Sequence, residues 1–149
     1  MTSTLRVTHW VRATPDQIWH AYTTPEMFHQ FFAPDGLHIP LESVVMELHV
    51  GGRFEFDMVF DETGQVNPNK GVILELSEPH TMVFCEPEFM GNELKSTQSF
   101  TAEGAGTLIA VTQEGVPEEI VGNPEVIEAF RSCYRKLGRL LGVPTEDRD

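Results

Sequence analysis

Residues 53–60 read Arg-Phe-Glu-Phe-Asp-Met-Val-Phe. Alternation puts Phe54, Phe56, Met58 and Phe60 on one face of a strand, and Arg53, Glu55 and Asp57 on the other. A strand written this way is wet on one side, so it belongs to an antiparallel sheet with one covered face. Gly51-Gly52 just before it is a tight-turn signal. Further strands are predicted at 43–50, 71–76, 81–86, 94–102 and 107–114, set off by polar loops at 61–69 and 87–93 and by turns at 77–80 and 103–106. Recurrence at hairpin spacing reads as a six-strand antiparallel meander.

The flanks supply the cover that such a sheet requires. Residues 5–11 alternate Leu5, Val7, His9 and Val11 with Arg6, Thr8 and Trp10, a further strand. Thr14-Pro15-Asp16-Gln17 is a helix start with a capping box and proline at the first helical position. That helix ends near Thr23. Thr24-Pro25 opens a second short helix carrying Met27, Phe28, Phe31 and Phe32, which stops at Ala33-Pro34-Asp35-Gly36. After the meander, Asn123-Pro124 starts a long helix whose stripe is Val126, Phe130, Cys133, Leu137 and Leu140, with Gly142 as its stop. It alone is long enough to lie across the sheet. The tail, 145–149, is charged and expected to fray. The fold class is therefore α+β: a strand, two short helices, a meander and a covering terminal helix, in a single domain over 1–149 with its core at 5–141 and a tail at 142–149.

Charge narrows the partners. The 149 residues carry 23 acidic and 10 basic groups, a net −13. Residues 41–115 hold thirteen of the acids and three of the bases, so the meander carries most of it. Nucleic acid and anionic membrane both need a basic footprint and are excluded as main partners. No apolar run approaches the roughly 20 residues of a membrane span. The first residues lack a hydrophobic signal segment, so a cytoplasmic location is expected.

The ordered motifs resemble the START-like (SRPBCC) superfamily, and within it the family of the activator of heat-shock-protein-90 ATPase. They are Ala13-Thr-Pro-Asp-Gln-Ile18-Trp19, Thr23-Thr24-Pro25-Glu26, Phe31-Phe32-Ala33-Pro34-Asp35-Gly36, Gly51-Gly52-Arg53-Phe54-Glu55-Phe56, Gly71-Val72-Ile73, Glu78-Pro79, and Gly106-Thr107 running to Thr112-Gln113. The resemblance covers residues 5–141 in order. It implies a helix-grip fold with a cavity between sheet and terminal helix. Relatives bind lipids, hormones or polyketides, and some are cyclases or dehydratases. The chain opens on the first strand, so the separate N-terminal domain of the named co-chaperone is expected to be missing.

The expected site is the inward sheet face. Trp19, Phe31, Phe32, Phe54, Phe56, Met58, Phe100 and Phe130 would form a cavity wall, with Gln98 and Gln113 as its polar contacts. Plain aromatic core is the alternative for the rings, and bonding to backbone or water is the alternative for the amides. Glu86 is the candidate acid, because an inward carboxylate has a raised pKa; its alternative is a strand-end glutamate turned to solvent. The six histidines show no helical pairing with each other or with cysteine, so no metal site is expected, and no cofactor. Cys133 reads as a small core residue and Cys85 as a strand residue. Trp10 reads as lying on the outer face, stacked on Arg6 or Arg12, covered by a neighbouring strand, or marking a partner surface. The leading expectation is non-enzymatic binding of a small apolar or amphipathic ligand. A chaperone-ATPase interaction module and a cyclase- or dehydratase-type enzyme are the alternatives. A protein partner on the acidic face should be basic.

Overall fold

The structure, a computed structural model, describes residues 2–89 and 91–148. Strand β1 (Thr2–Val11) leads into helices α1 (Pro15–Thr23) and α2 (Pro25–Phe31). Two-residue strands β2 (Leu37–His38) and β3 (Val45–Met46) flank a single 3-10 turn. Next come the long strands β4 (Arg53–Phe60), β5 (Val66–Ser77), β6 (Thr81–Phe89), β7 (Asn92–Glu103) and β8 (Gly106–Pro117). A short helix α3 (Glu118–Val121), the long helix α4 (Pro124–Leu141) and strand β9 (Thr145–Arg148) complete the chain. The sheet runs β2-β4-β5-β6-β7-β8-β1-β9, with β3 also on β4, and every pairing is antiparallel. With α4 laid across its apolar face, this is a helix-grip fold.

The helix signals act as their chemistry requires. At α1 the Gln17 backbone N–H donates to Thr14 Oγ1 (3.2 Å), and the Thr14 N–H donates to Gln17 Oε1 (2.8 Å), which completes the box. Thr24 precedes α2 without capping it through its side chain. The Glu125 N–H donates to Asn123 Oδ1 (2.9 Å) at the start of α4, and Gly142 ends that helix in the left-handed region at φ 71°.

Several expected elements shift. The strand expected at 43–50 shrinks to Val45–Met46. At Glu47 the chain turns out, and the Glu47 carboxylate accepts the Arg53 N–H (3.0 Å) and pairs with its guanidinium. Leu48 and Val50 consequently stand exposed. The loop expected at 61–69 is shorter, because β5 already pairs with β4 from Val66. Pro68 is tolerated there because this half of β5 has β4 as its single neighbour; pairing to β6 begins at Val72. The loop expected at 87–93 is largely strand: β6 reaches Phe89, and Phe89 pairs with Asn92. Met90 lies outside the described residues.

The largest correction concerns the tail. Residues 145–148 are not frayed but form β9 on the edge of β1, pairing Thr8–Val11 with Thr145–Arg148. Asp149 lies outside the described residues. The tail's charges are taken up by partners. Arg148 donates to Glu103 (2.6 Å), and Arg135 of α4 donates to Asp147 (2.7 Å) and pairs with Glu128. Trp10 pairs with Glu146 of this strand. Its indole N–H donates to the Glu103 carbonyl (2.9 Å), and the Arg148 guanidinium lies 5.7 Å from its ring centre. The arginine over Trp10 is thus Arg148, not Arg6 or Arg12.

Geometry requires the pair Gly51-Gly52. Gly51 has φ +86°, and a Cβ on Gly52 would sit 2.0 Å from the Glu47 carbonyl oxygen. Gly122 has an ordinary backbone and open surroundings. We expect Gly52→Ala to cost about 1–3 kcal/mol through overpacking. Gly122→Ala should be neutral or stabilising by up to about 1 kcal/mol. Urea unfolding of both variants checks the contrast, and equal effects would contradict the close approach at Gly52.

Candidate functional site

Aromatic side chains fill one half of the space between sheet and helices. Tyr22 packs on Phe31 (5.1 Å between centroids) and on Phe100 (4.9 Å), and Trp19 meets Phe100 edge-on at 6.1 Å. Phe28 stacks on Phe32 at 4.5 Å and meets Phe54 and Phe56 edge-on at 5.3 Å each. Phe54 in turn stacks on Phe84 at 5.0 Å. Rings at these separations leave no room for a guest.

The other half is not filled. At the β6–β7 end, beneath the middle turns of α4, lies a cavity of about 160 Å³. The strands contribute Phe56 and Met58 from β4, Asn69 from β5, and Phe84, Glu86 and Phe89 from β6. Leu94 of β7 and Gln113 of β8 continue the floor. Phe32 and Pro34 close one side, and Phe130, Cys133 and Tyr134 of α4 form the roof. Register explains the set: Glu86 pairs with Leu94, Phe84 with Ser96, and Ser96 with Gln113, so all share the inward face.

Of the expected wall, Phe32, Phe56, Met58, Gln113 and Phe130 line this space. Trp19, Phe31, Phe54, Phe100 and Gln98 do not; they belong to the closed aromatic half and its edge. Gln98 is 1% exposed, its Nε2 donates to Ser96 Oγ (3.3 Å), and its Oε1 has no partner among the described residues. Gln113 Nε2 donates to the same hydroxyl (3.3 Å). Glu86 faces the cavity half-buried rather than turning fully to solvent, and burial pushes its carboxyl above the ordinary range. No second carboxylate and no histidine lines the cavity among the described residues.

The roof is chemically quiet. Burial pushes the Cys133 thiol up to about 12, and its Sγ donates to the Phe32 carbonyl (3.3 Å). Such a thiol is a packing group, not a nucleophile. Burial raises the hydroxyls of both Tyr134 and Tyr22. Phe89, Leu94 and Asn69 escape the sequence reading because each sits where a loop or strand start was expected. Tyr134 escapes because it lies one position beside the stripe, which widens toward β1.

Behind Tyr134 stands His9, fully buried and stacked on the phenol ring at 5.3 Å. Its Nδ1 lies 3.2 Å from Asp147 Oδ1. Burial lowers the imidazole to about 4 against the pull of Asp147, and Arg135 and Arg131 add to the lowering. In the unfolded chain a histidine titrates near 6.5. Between these values the unfolded chain holds a proton that the fold refuses. The stabilisation is therefore complete above about pH 6.5 and is lost as pH falls toward 4. Urea unfolding from pH 7.5 to 4.5 should show wild type losing roughly 2–3 kcal/mol relative to His9→Phe, which keeps the stack without the titration. Parallel pH curves for the two proteins would contradict a buried neutral His9.

Comparison with known proteins agrees with this architecture. The family model described as Activator of Hsp90 ATPase homolog 1-like protein matches residues 12–142. No match is found among curated proteins. Among solved structures, a Rhodobacter sphaeroides protein is 21% identical, with 95% of this chain and 97% of that one covered at TM-score 0.82. A Chromobacterium violaceum protein is 20% identical, with 93% and 96% covered at TM-score 0.81. An AHSA1-like protein from Aeromonas hydrophila is 18% identical, with 95% and 92% covered at TM-score 0.69. At these identities the solved structures show the fold alone, whereas the family model spans most of the chain. The chain belongs to the activator of Hsp90 ATPase homolog 1-like family of the START-like (SRPBCC) superfamily.

Proposed function

We propose that this domain binds a small, largely apolar molecule between the β6–β7 end of the sheet and α4. The observation that carries this reading is the unfilled space of about 160 Å³ beside an otherwise closely packed aromatic core. What sets this space apart is its lining, since it is a partly open pocket walled mainly by apolar and aromatic side chains. An apolar cavity of ~150 Å³ accommodates a benzene-sized guest. The space therefore suits a single ring or a short branched chain, and a larger ligand would have to displace Phe89 or the roof. The wall is mostly apolar and carries a few fixed polar groups, the composition of a small-molecule site.

Filling the space separates binding from folding. Leu94 is buried in the cavity floor. Leu94→Phe places a ring where the guest would sit. The free variant should be as stable as wild type or more so, because the added atoms occupy a void. In a thermal-shift screen of single-ring compounds, wild type should gain stability with ligand, by about 2.7 kcal/mol at a concentration of one hundred times Kd. Leu94→Phe should show none of that gain. If no compound stabilises wild type, or if the variant responds equally, the cavity is not the binding site.

A further inference from the structure

Glu86, Gln113 and Asn69 each bring acceptor oxygen to the cavity wall. The Gln113 amide places one of its two Nε2 hydrogens on Ser96 Oγ (3.3 Å), and its Oε1 is an acceptor. Asn69 Nδ2 places one of its two hydrogens on the Asn67 carbonyl (3.1 Å), and its Oδ1 is an acceptor. Glu86 is the one carboxyl in the lining among the described residues; when ionised it only accepts. Cys133 Sγ donates to the Phe32 carbonyl. No lysine or arginine lines the cavity among the described residues.

A guest entering this wall meets acceptors. A carboxylate would bring a second negative charge beside Glu86 with no lysine or arginine in the lining, among the described residues, to meet it. An ammonium supplies hydrogens to these acceptors and neutralises the one charge in the wall. The faces of Phe56, Phe84 and Phe130 also favour a cation over an anion. The surrounding field agrees, since the chain carries −13.

We propose that the cavity selects a compact apolar amine, its ammonium held by Glu86 and the Gln113 amide oxygen and its body among the phenylalanine rings. This rests on the reading of the space as a ligand site. The full chain is titrated by two-dimensional NMR with four single-ring probes: benzylamine, benzyl alcohol, toluene and benzoate. Benzylamine should bind about tenfold or more tightly than toluene, and benzoate should leave the cavity signals unmoved. Benzyl alcohol, a neutral donor, should fall between benzylamine and toluene. Glu86→Gln should bring benzylamine down to the level of toluene with toluene itself unchanged. Glu88→Gln, an exposed neighbour on the same strand, should keep the wild-type preference. Equal binding of benzylamine and toluene, or binding of benzoate, would overturn the selection while the cavity remains a ligand site. An equal loss of preference in Glu88→Gln would assign it to the surface field and likewise overturn the proposal. If no probe perturbs the cavity signals, the ligand-site reading fails and the proposal with it.

Discussion

The architecture arises from a mismatch in width. Eight strands lie side by side in the main sheet order. At ~4.8 Å per strand such a face spans roughly 35 Å before it curls, while a helix with its side chains is about 10–12 Å across. One helix cannot dry that surface. The chain answers by curling the sheet around α4 and by filling one flank with aromatics from α1 and α2. Trp19 and Tyr22 reach Phe100, and Phe28 reaches Phe54 and Phe56. The filler is attached between β1 and β4, so it serves the end of the sheet nearest those helices. The opposite end, at the β6–β7 hairpin, receives Phe32, Pro34 and the middle turns of α4 and remains partly empty. The cavity is the part of the apolar face that the short helices do not reach.

The position of α4 across that face depends on the strand after it. Gly142 reverses the chain, and β9 then adds to β1. Asp147 of β9 meets Arg135 of α4, and Arg148 reaches Glu103 at the end of β7. Exposed ion pairs contribute little singly. Here they share a strand whose backbone is already paired, so the ordering entropy of that segment is met by the ladder rather than by the charges. The roof of the cavity is thereby tied to the far edge of the sheet, through the same strand that pairs with Trp10 and places a carboxylate beside His9.

The sequence is legible where a local rule decides the outcome. The capping box at Thr14 and Gln17, the alternation at Phe54 and Phe56 and the stop at Gly142 each need a few neighbours only, and each is found. It is less legible where a distant partner decides. Residues 145–148 have the composition of a solvated tail and become strand because β1 offers an edge with Arg135 and Glu103 nearby. Val66–Lys70 reads as loop, with a proline and two asparagines, and becomes strand because β4 supplies the ladder. The site shows the same division. Alternation assigns Gln113, Phe84 and Glu86 to one face. It does not distinguish rings that pack on one another, such as Phe54 and Phe100, from rings that face a void, such as Phe56 and Phe130. That difference lies in where α1 and α2 stop.

Acidity plays two separate parts in this molecule. Outside, carboxylates at alternate strand positions face water, and several meet local bases, as Glu55 does with Arg53 and Lys70. They set a field without forming a site. At the cavity one carboxylate, Glu86, sits half-buried among phenylalanines with burial raising its carboxyl; Lys70 shares the adjoining outer cleft with it but makes no ion pair to it among the described residues. A half-buried carboxylate costs free energy that packing alone does not require, since a leucine or methionine would fit the same wall. Gln113 and Asn69 add acceptor oxygens to the same wall, each amide with one of its two hydrogens bound elsewhere. A cavity that existed only because the short helices fall short would be lined at random. A wall with one carboxyl, two amide oxygens and, among the described residues, no lysine or arginine suits a cationic hydrogen-bond donor, and the exterior field draws the same sign of charge toward it.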